Sequence, residues 1–444
     1  MRRHASGGRG WAALGGGLAL LVASAPPAWS FSQLADIGSG GKVIYSHWNA
    51  DQLPIRYYVD PGGTGVPGID AVELVQRAFD AWQAVSTSSI RFEYGGLIPD
   101  PDGDHNTTVE DVDRLDAFQN DGRIDVIFDD SGVFFDRIAG PDNGVIGLAF
   151  PVIDIEDGRI EDADIVISVP NITRFAADSD LEGVLIHEIG HLCGLGHSPV
   201  YPEVPPEQVP TMFPYVGFYG DPAGQRSLTA DDRAAISYVY PEPSFASDFG
   251  TIRGSITEAD GDAGFGTHVT AVNGITGEAV GGIAGYFTGD SHDGTYFIPG
   301  LEPGIYSVFI HAIDGSEAAG FVSGFNISGI LRSTYGKPFA TEFFNNTLEA
   351  AAATPVTVDA ASTTRGVDFV QDIENGGAPL ATSVTTRPDS GGHGGGGGGG
   401  GGGGCRVASA GDAAGASGVV SSGAVLAIAW LGSRARRARR PRPV

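Results

Sequence analysis

The stretch that most constrains this chain is His187-Glu188-Ile189-Gly190-His191-Leu192-Cys193-Gly194-Leu195-Gly196-His197. Just before it, Ser179-Asp180-Leu181-Glu182 has the form of a capping box and predicts a helix from there to about Cys193. Positions four apart on such a helix differ by only about 40° around its axis, so His187 and His191 project from one face. Two imidazoles so placed can reach one tetrahedral zinc at about 2.0–2.1 Å. Gly194 falls where the helix has to stop, and glycine tolerates the left-handed turn that swings His197 round as a third ligand. Three protein ligands leave a fourth position open for water, as a catalytic zinc requires. Glu188, beside the first ligand, is placed to take a proton from the attacking water and pass it to a leaving amine. The sequence therefore nominates one Zn2+, with His187, His191 and His197 as metal ligands and Glu188 as catalytic residue. The rival account of a bare H-E-x-x-H, an amphipathic helix with solvated histidines, does not explain the third histidine or the capped start.

The flanking pattern predicts what carries this helix. Leu53–Val59 alternates and contains Tyr57 and Tyr58, as a strand would. Asp70 then caps a helix in which Val72, Val75, Phe79 and Trp82 recur at spacings of three and four. Ile90–Tyr94, Ile124–Phe128, Val145–Phe150 and Ala163–Ser168 read as four more strands. Thr229–Tyr240 reads as a last helix, with Thr229 as N-cap and Pro241 beyond its end. Strands come first and the key helices late, which predicts α+β rather than a doubly wound sheet. The chain has two methionines, and the internal one, Met212, lies 15 residues after His197 in Pro210-Thr211-Met212-Phe213-Pro214-Tyr215.

The completed pattern H-E-x-x-H-x-x-G-x-x-H resembles the metzincin signature, and the segment around Met212 resembles the methionine turn those enzymes place beneath their zinc. Within the metzincins the likeness is closest to the matrixins, over roughly residues 41 to 241. It is carried by Arg77-Ala78-Phe79-Asp80-Ala81-Trp82, the Asp-Val-Ile-Phe strand, Ala163-Asp164-Ile165-Val166-Ile167 and Leu228-Thr229-Ala230-Asp231-Asp232. The resemblance implies a zinc endopeptidase acting on protein or peptide substrates. It also implies a twisted five-stranded sheet with three helices, an edge strand that binds extended substrate by β-addition, and Met212 supporting the three imidazoles. Two departures stand out. Matrixins commonly hold a second, structural zinc, but between His47 and His187 this chain has only His105. The loops are acidic instead, with Asp136, Asp142, Asp154, Glu156, Asp157, Glu161 and Asp162. Such carboxylates suit Ca2+ as well as they suit a solvated surface, and Asp100–Asn106 alternates like a calcium loop but lacks its sixth-position glycine. No cysteine-bearing propeptide is visible, and Cys193 reads as a small core residue.

Residues 250–373 form a second unit of short alternating segments broken by Gly and Pro, such as Gly250–Ile256 and Asp293–Tyr306. They predict an all-β sandwich, with a final strand pair within Thr354–Val370 and with His268, His292 and His311 scattered. Its wording resembles the carboxypeptidase regulatory-like, transthyretin-like modules, which implies a role in spacing, stability or substrate capture. Residues 374–404 read as a linker, with 13 glycines between Gly391 and Gly404.

Both ends read as addresses. Arg2, Arg3 and Arg9, the uncharged run Trp11–Ala23 and the small residues of Ala28-Trp29-Ser30 predict a secretory signal over residues 1–30. At the other end, Cys405 is followed by 20 uncharged residues, Ala413–Gly432, and then by six arginines within Arg434–Arg442. That order suits a membrane anchor and resembles the C-terminal sorting tags of myxobacterial surface proteins. The net charge of −28 is an average. Without those Arg-bearing ends the body holds 16 basic against 53 acidic residues, which argues against a nucleic-acid partner. The expectation is a secreted or surface-tethered zinc metalloendopeptidase. The competing expectation is a non-catalytic surface adhesin that keeps the zinc fold, against which the intact Glu188 counts. No feature of the sequence sets the oligomeric state.

Overall fold

The structure, a computed structural model, describes residues 31–37, 43–99, 122–141, 144–175, 181–198, 208–216, 225–288, 293–312, 339–371, 384–388 and 426–427. The first half is built on one five-stranded sheet. Its strands are β1 (Ile55–Val59), β2 (Phe92–Leu97), β3 (Ile124–Asp129), β4 (Gly147–Ile153) and β5 (Ile160–Ser168), in the order β2-β1-β3-β5-β4. β1 is parallel to β2 and β3, and β3 to β5; only β4, at one edge, runs antiparallel. The burial follows this arrangement. β3, with neighbours on both sides and covered faces, is buried at every position, whereas β1 alternates Ile55, Tyr57 and Val59 inward with Arg56 outward.

One face of the sheet carries α1 (Ala71–Gln83) and the helix bearing the histidines. Asp70 caps α1 by accepting from the Glu73 amide at 2.9 Å, as its sequence predicts. Its buried stripe is Ala71, Leu74, Val75, Ala78, Phe79 and Trp82, so Leu74 replaces the expected Val72, which is half-buried. Six helices, not the three expected, are present among the described residues. The additional ones are α2 (Val133–Ala139), α3 (Val169–Phe175) and α6 (Pro243–Asp248), flanking α4 (Leu181–Leu192) and α5 (Ala230–Val239). Each is six or seven residues long, too short for a 3.6-residue period to declare itself. Local chemistry starts them instead. The Asp129 carboxylate accepts from the amides of Gly132, Phe134 and Phe135 at the head of α2, and proline opens α6.

The second half is two five-stranded sheets face to face. One runs β9-β6-β13-β15, with β14 also paired to β6; the other runs β8-β7-β10-β11, with β12 also paired to β10. The strands are β6 (Gly250–Glu258), β7 (His268–Asn273), β8 (Ala279–Ile283), β9 (Thr295–Leu301), β10 (Gly304–His311), β11 (Glu342–Phe343), β12 (Val356–Val358), β13 (Ser362–Arg365), β14 (Phe369–Gln371) and β15 (Thr385–Pro388). Ile252, Ile256 and Ile298 from one sheet meet Val269, Ala271, Val308 and Ile310 from the other in a common core. Three details depart from the sequence reading. The expected final strand pair is three short strands, β12 to β14. β15 lies within the stretch read as linker and pairs antiparallel with β13. His268 and His311 are not scattered: they sit opposite each other on β7 and β10, with ring centroids 4.3 Å apart.

The two halves share an aromatic seam. Phe287 of the sandwich lies 6.2 Å from Phe31, 5.3 Å from Tyr45 and 5.4 Å from Tyr238, ring centre to ring centre. Among the described residues no helix is long and apolar enough to cross a membrane. The export signal, Asp100–Asn106, Asp142, the Ser179-Asp180 cap, His292, the glycine tract and Cys405 lie outside the described residues. Of the C-terminal segment only Leu426–Ala427 is described, paired with Tyr215–Val216.

Candidate metal centre

α4 is buried along almost its whole length, Glu182 being the exception. That suits a helix wedged between the sheet and α1. Trp82 of α1 donates its indole N–H to the Ile186 carbonyl at 2.7 Å, fixing the turn just before His187. At the C-terminal end, the carbonyls that a helix leaves unpaired are met by side chains. Trp48 donates through Nε1 to the Leu192 carbonyl at 2.9 Å, and Tyr240 donates its hydroxyl to the Cys193 carbonyl at 2.7 Å. Gly194 then turns the chain at φ 86°, where a Cβ would also lie 2.3 Å from the Ser46 carbonyl oxygen.

That turn brings the three predicted histidines together. One ring nitrogen from each of His187, His191 and His197 lies within 4.8 Å of the others, and this is the only group of three or more His, Cys, Asp or Glu disposed for a metal among the described residues. His187 Nδ1 is 2.6 Å from the Thr211 carbonyl oxygen, and His191 Nδ1 is 2.8 Å from that of Leu195. A carbonyl only accepts, so both Nδ1 atoms carry the proton and both Nε2 atoms turn a lone pair inward. His187 Nε2 is buried without a hydrogen-bond partner, and His191 Nε2 lies 3.1 Å from His197 Nε2. Tetrahedral ligands about 2.05 Å from zinc are about 3.3 Å apart, so the donor set fits that ion. Burial, then the neighbouring imidazoles, hold His191 well below the usual histidine range and His187 down to about 3. Both are therefore neutral at physiological pH, the form that binds metal.

Glu188 is fully buried beside the cluster, and neither carboxylate oxygen is hydrogen-bonded. Burial pushes its pKa well above the usual range, opposed only by the nearby Ala149 amide of β4. The carboxylate packs so closely against the edge strand that a Cβ at Gly147 would fall 2.5 Å from Glu188 Oε1.

Met212 underlies the cluster. Its sulfur is 2.2 Å from where a Cβ on Gly190 would stand, so the glycine inside the helix is what lets the methionine approach. The turn is held by Asp232, which accepts from the Thr211 amide at 2.9 Å and the Met212 amide at 3.1 Å. Its other role is at the start of α5, where Thr229 and Asp232 form a capping box. Sequence reasoning named Thr229 as the cap but did not see that Asp232 reaches two ways. It placed Trp82 and Tyr240 on helices but did not see that their side chains, with Trp48, hydrogen-bond the backbone of α4 and its C-terminal end. Cys193 is buried, its thiol pushed up by burial, as expected of a core residue. Of the acidic loop residues, Asp154 and Glu161 share Arg159 at 3.6 Å and 2.6 Å.

This geometry agrees with comparison to known proteins. Residues 47–241 match the matrixin family model, Peptidase_M10. The domain is matrixin-like. The chain is 34% identical over 113 residues to Metalloendoproteinase 2-MMP of Arabidopsis thaliana, covering 24% of this chain and 27% of that protein. It is 43% identical over 76 residues to Metalloendoproteinase 1 of Glycine max, covering 15% of this chain and 24% of that protein. The chain thus spans about a quarter of the length of the curated relatives it matches. Family and relatives together support a metalloprotease, and the matrixin family implies zinc at the three-histidine cluster.

Proposed function

We propose that the chain is a zinc-dependent endopeptidase, with His187, His191 and His197 holding the ion and Glu188 as the general base. The observation that carries this reading is the convergence of two oriented imidazoles and a third histidine beside a carboxylate that is buried and unpaired. Zinc bound there supplies a Lewis acid that makes water a nucleophile at neutral pH. Glu188 takes the proton from the attacking water and delivers it to the departing amine nitrogen, so that the C–N bond breaks without releasing a free amide anion. The carboxylate is suited to this because, among the described residues, no other side chain claims its oxygens and only the Ala149 amide lies near. Among the described residues, edge strand β4 has no sheet partner on one side, and it offers extended substrate a backbone ladder beside Glu188. Export and a surface tether through the C-terminal segment, with bound Ca2+ as an option, complete the proposal on sequence grounds alone.

The test uses the full chain. Wild-type protein is expected to bind one zinc and to cleave a broad peptide library in a chelator-sensitive manner. Glu188→Ala is expected to keep the zinc and to lose about 10²-fold or more in kcat. Undiminished cleavage by Glu188→Ala overturns the assignment of the base. Stoichiometric zinc with no cleavage of any library member favours the binding-protein reading instead.

A further inference from the structure

The sandwich was expected to serve in spacing, stability or substrate capture, but its contacts lead to the loop that carries His197. Two routes do so, and both are built from buried polar groups. The first passes through Asp231 at the start of α5. This carboxylate is fully buried and accepts from the Ser198 hydroxyl at 2.8 Å through one oxygen. Through the other it accepts from the backbone amide of Gly281 in β8, at 3.1 Å. The Phe31 amide is a third donor. Ser198 follows His197 directly, and its own amide donates to the Met212 carbonyl at 2.9 Å. A sandwich amide, an α5 carboxylate and the residue after the third ligand therefore form one chain of hydrogen bonds.

The second route passes through the N-terminal segment. Ser32 and Gln33 pair antiparallel with Gly196 and Leu195, and the Ser32 hydroxyl donates to the His197 carbonyl at 2.8 Å. Leu195 is also the residue whose carbonyl fixes the tautomer of His191. This short ladder is clamped from the sandwich side, because Tyr286 donates its hydroxyl to the Gln33 carbonyl. Tyr45 in turn donates to the Tyr286 carbonyl at 2.6 Å. Two-residue ladders are weak by themselves; the clamp adds to the bonds from the Leu34 amide to the Gly194 carbonyl at 2.7 Å and from Gln33 Nε2 to the Ser46 carbonyl at 2.9 Å in holding its register.

We propose that the sandwich is a positioning element of the metal centre: Gly281 through Asp231 and Ser198, and Tyr286 through Gln33 and Leu195, hold the His191–His197 turn in its ligating shape. The inference rests on the zinc reading above. Tyr286 and Asp231 are positioning residues that touch neither metal nor substrate.

The experiment compares full-length wild type with Tyr286→Phe, which keeps the ring in the aromatic seam and removes one hydroxyl. Three measurements are made: the zinc dissociation constant by competition with a chromophoric chelator, steady-state kinetics (kcat and KM) on one cleaved peptide, and hydrogen exchange of the 195–198 amides in metal-free protein. The expected result is a zinc dissociation constant raised about tenfold, kcat lowered with KM held, and faster exchange at 195–198. Ser198→Ala, which cuts the first route on the catalytic side, should do the same, and it serves if Tyr286→Phe does not fold. A lower melting temperature with unchanged zinc affinity, kcat and exchange overturns the proposal and leaves the sandwich a merely stabilising neighbour. A wild type that takes up no zinc overturns the metal reading, and the exchange arm on metal-free protein still decides whether the sandwich holds the turn.

Discussion

Gly190 shows how one residue can be set by another far away in the sequence. In an exposed helix a central glycine costs about 1 kcal/mol relative to alanine, yet here a methyl group would collide with the Met212 sulfur and, at 2.9 Å, with Trp82. Gly190→Ala is therefore expected to destabilise rather than help, by about 1–3 kcal/mol, as measured by urea unfolding of metal-free protein. The His and Glu positions of the motif were legible because their spacing is the chemistry. Gly190 was visible only as an unspecified position between them, because its reason lies 22 residues away in the turn. A second residue-scale prediction concerns His311, which burial holds down to about 4 and hence neutral. The unfolded chain binds this proton near pH 6.5, so between those values unfolding takes up a proton. The contribution of His311 to stability is then complete above pH 6.5 and is lost as the pH drops towards 4, by on the order of 3 kcal/mol. His311→Gln should flatten that part of the curve, read as urea midpoints at pH 5 and pH 7.5.

Among the elements, the long ones were readable and the short ones were not. α1 and α5 announced themselves through caps and periodic apolar residues, and Asp70 and Thr229 do cap them. β4 runs on to Ile153 and β5 starts at Ile160, beyond the runs seen in sequence, because pairing with each other extends both. α2, α3 and α6 stayed invisible because each is only six or seven residues long, too short for a helical period to register. The methionine turn depends on α5. Asp232 accepts from Thr211, Met212 and Thr229, so its loss leaves buried amides without acceptors. Asp232→Ala is expected to cost about 3 kcal/mol or more and to weaken zinc retention, checked by thermal unfolding with and without a chelator.

For the whole molecule, composition and turn spacing divide the chain into an α+β part and an all-β part, but give no hint of how the two meet. Phe31, Tyr45 and Tyr238 from one half and Tyr286, Phe287 and Phe297 from the other form one cluster of rings. No periodicity in either half marks residues that pack across a boundary between them. Ala234 of α5 even belongs to the sandwich core. The two halves should therefore unfold in one calorimetric transition. A chain ending at residue 245 should melt well below the full-length protein, since it exposes the seam and strips Asp231 of its Gly281 donor.

The strand β15 has a mechanical consequence. Its residues Thr385–Arg387 are exposed, and among the described residues it is held by its backbone ladder to β13 and by the contact of Thr364 Oγ1 with Thr386 Oγ1 at 3.2 Å. A load arriving from the C-terminal side meets this ladder before it reaches either core. Parting these rungs removes β15 alone, because the other strands of the sandwich keep their own pairings. Under force from that side, β15 is expected to part before the sheets it borders, which single-molecule stretching of the full chain would read as a short first extension.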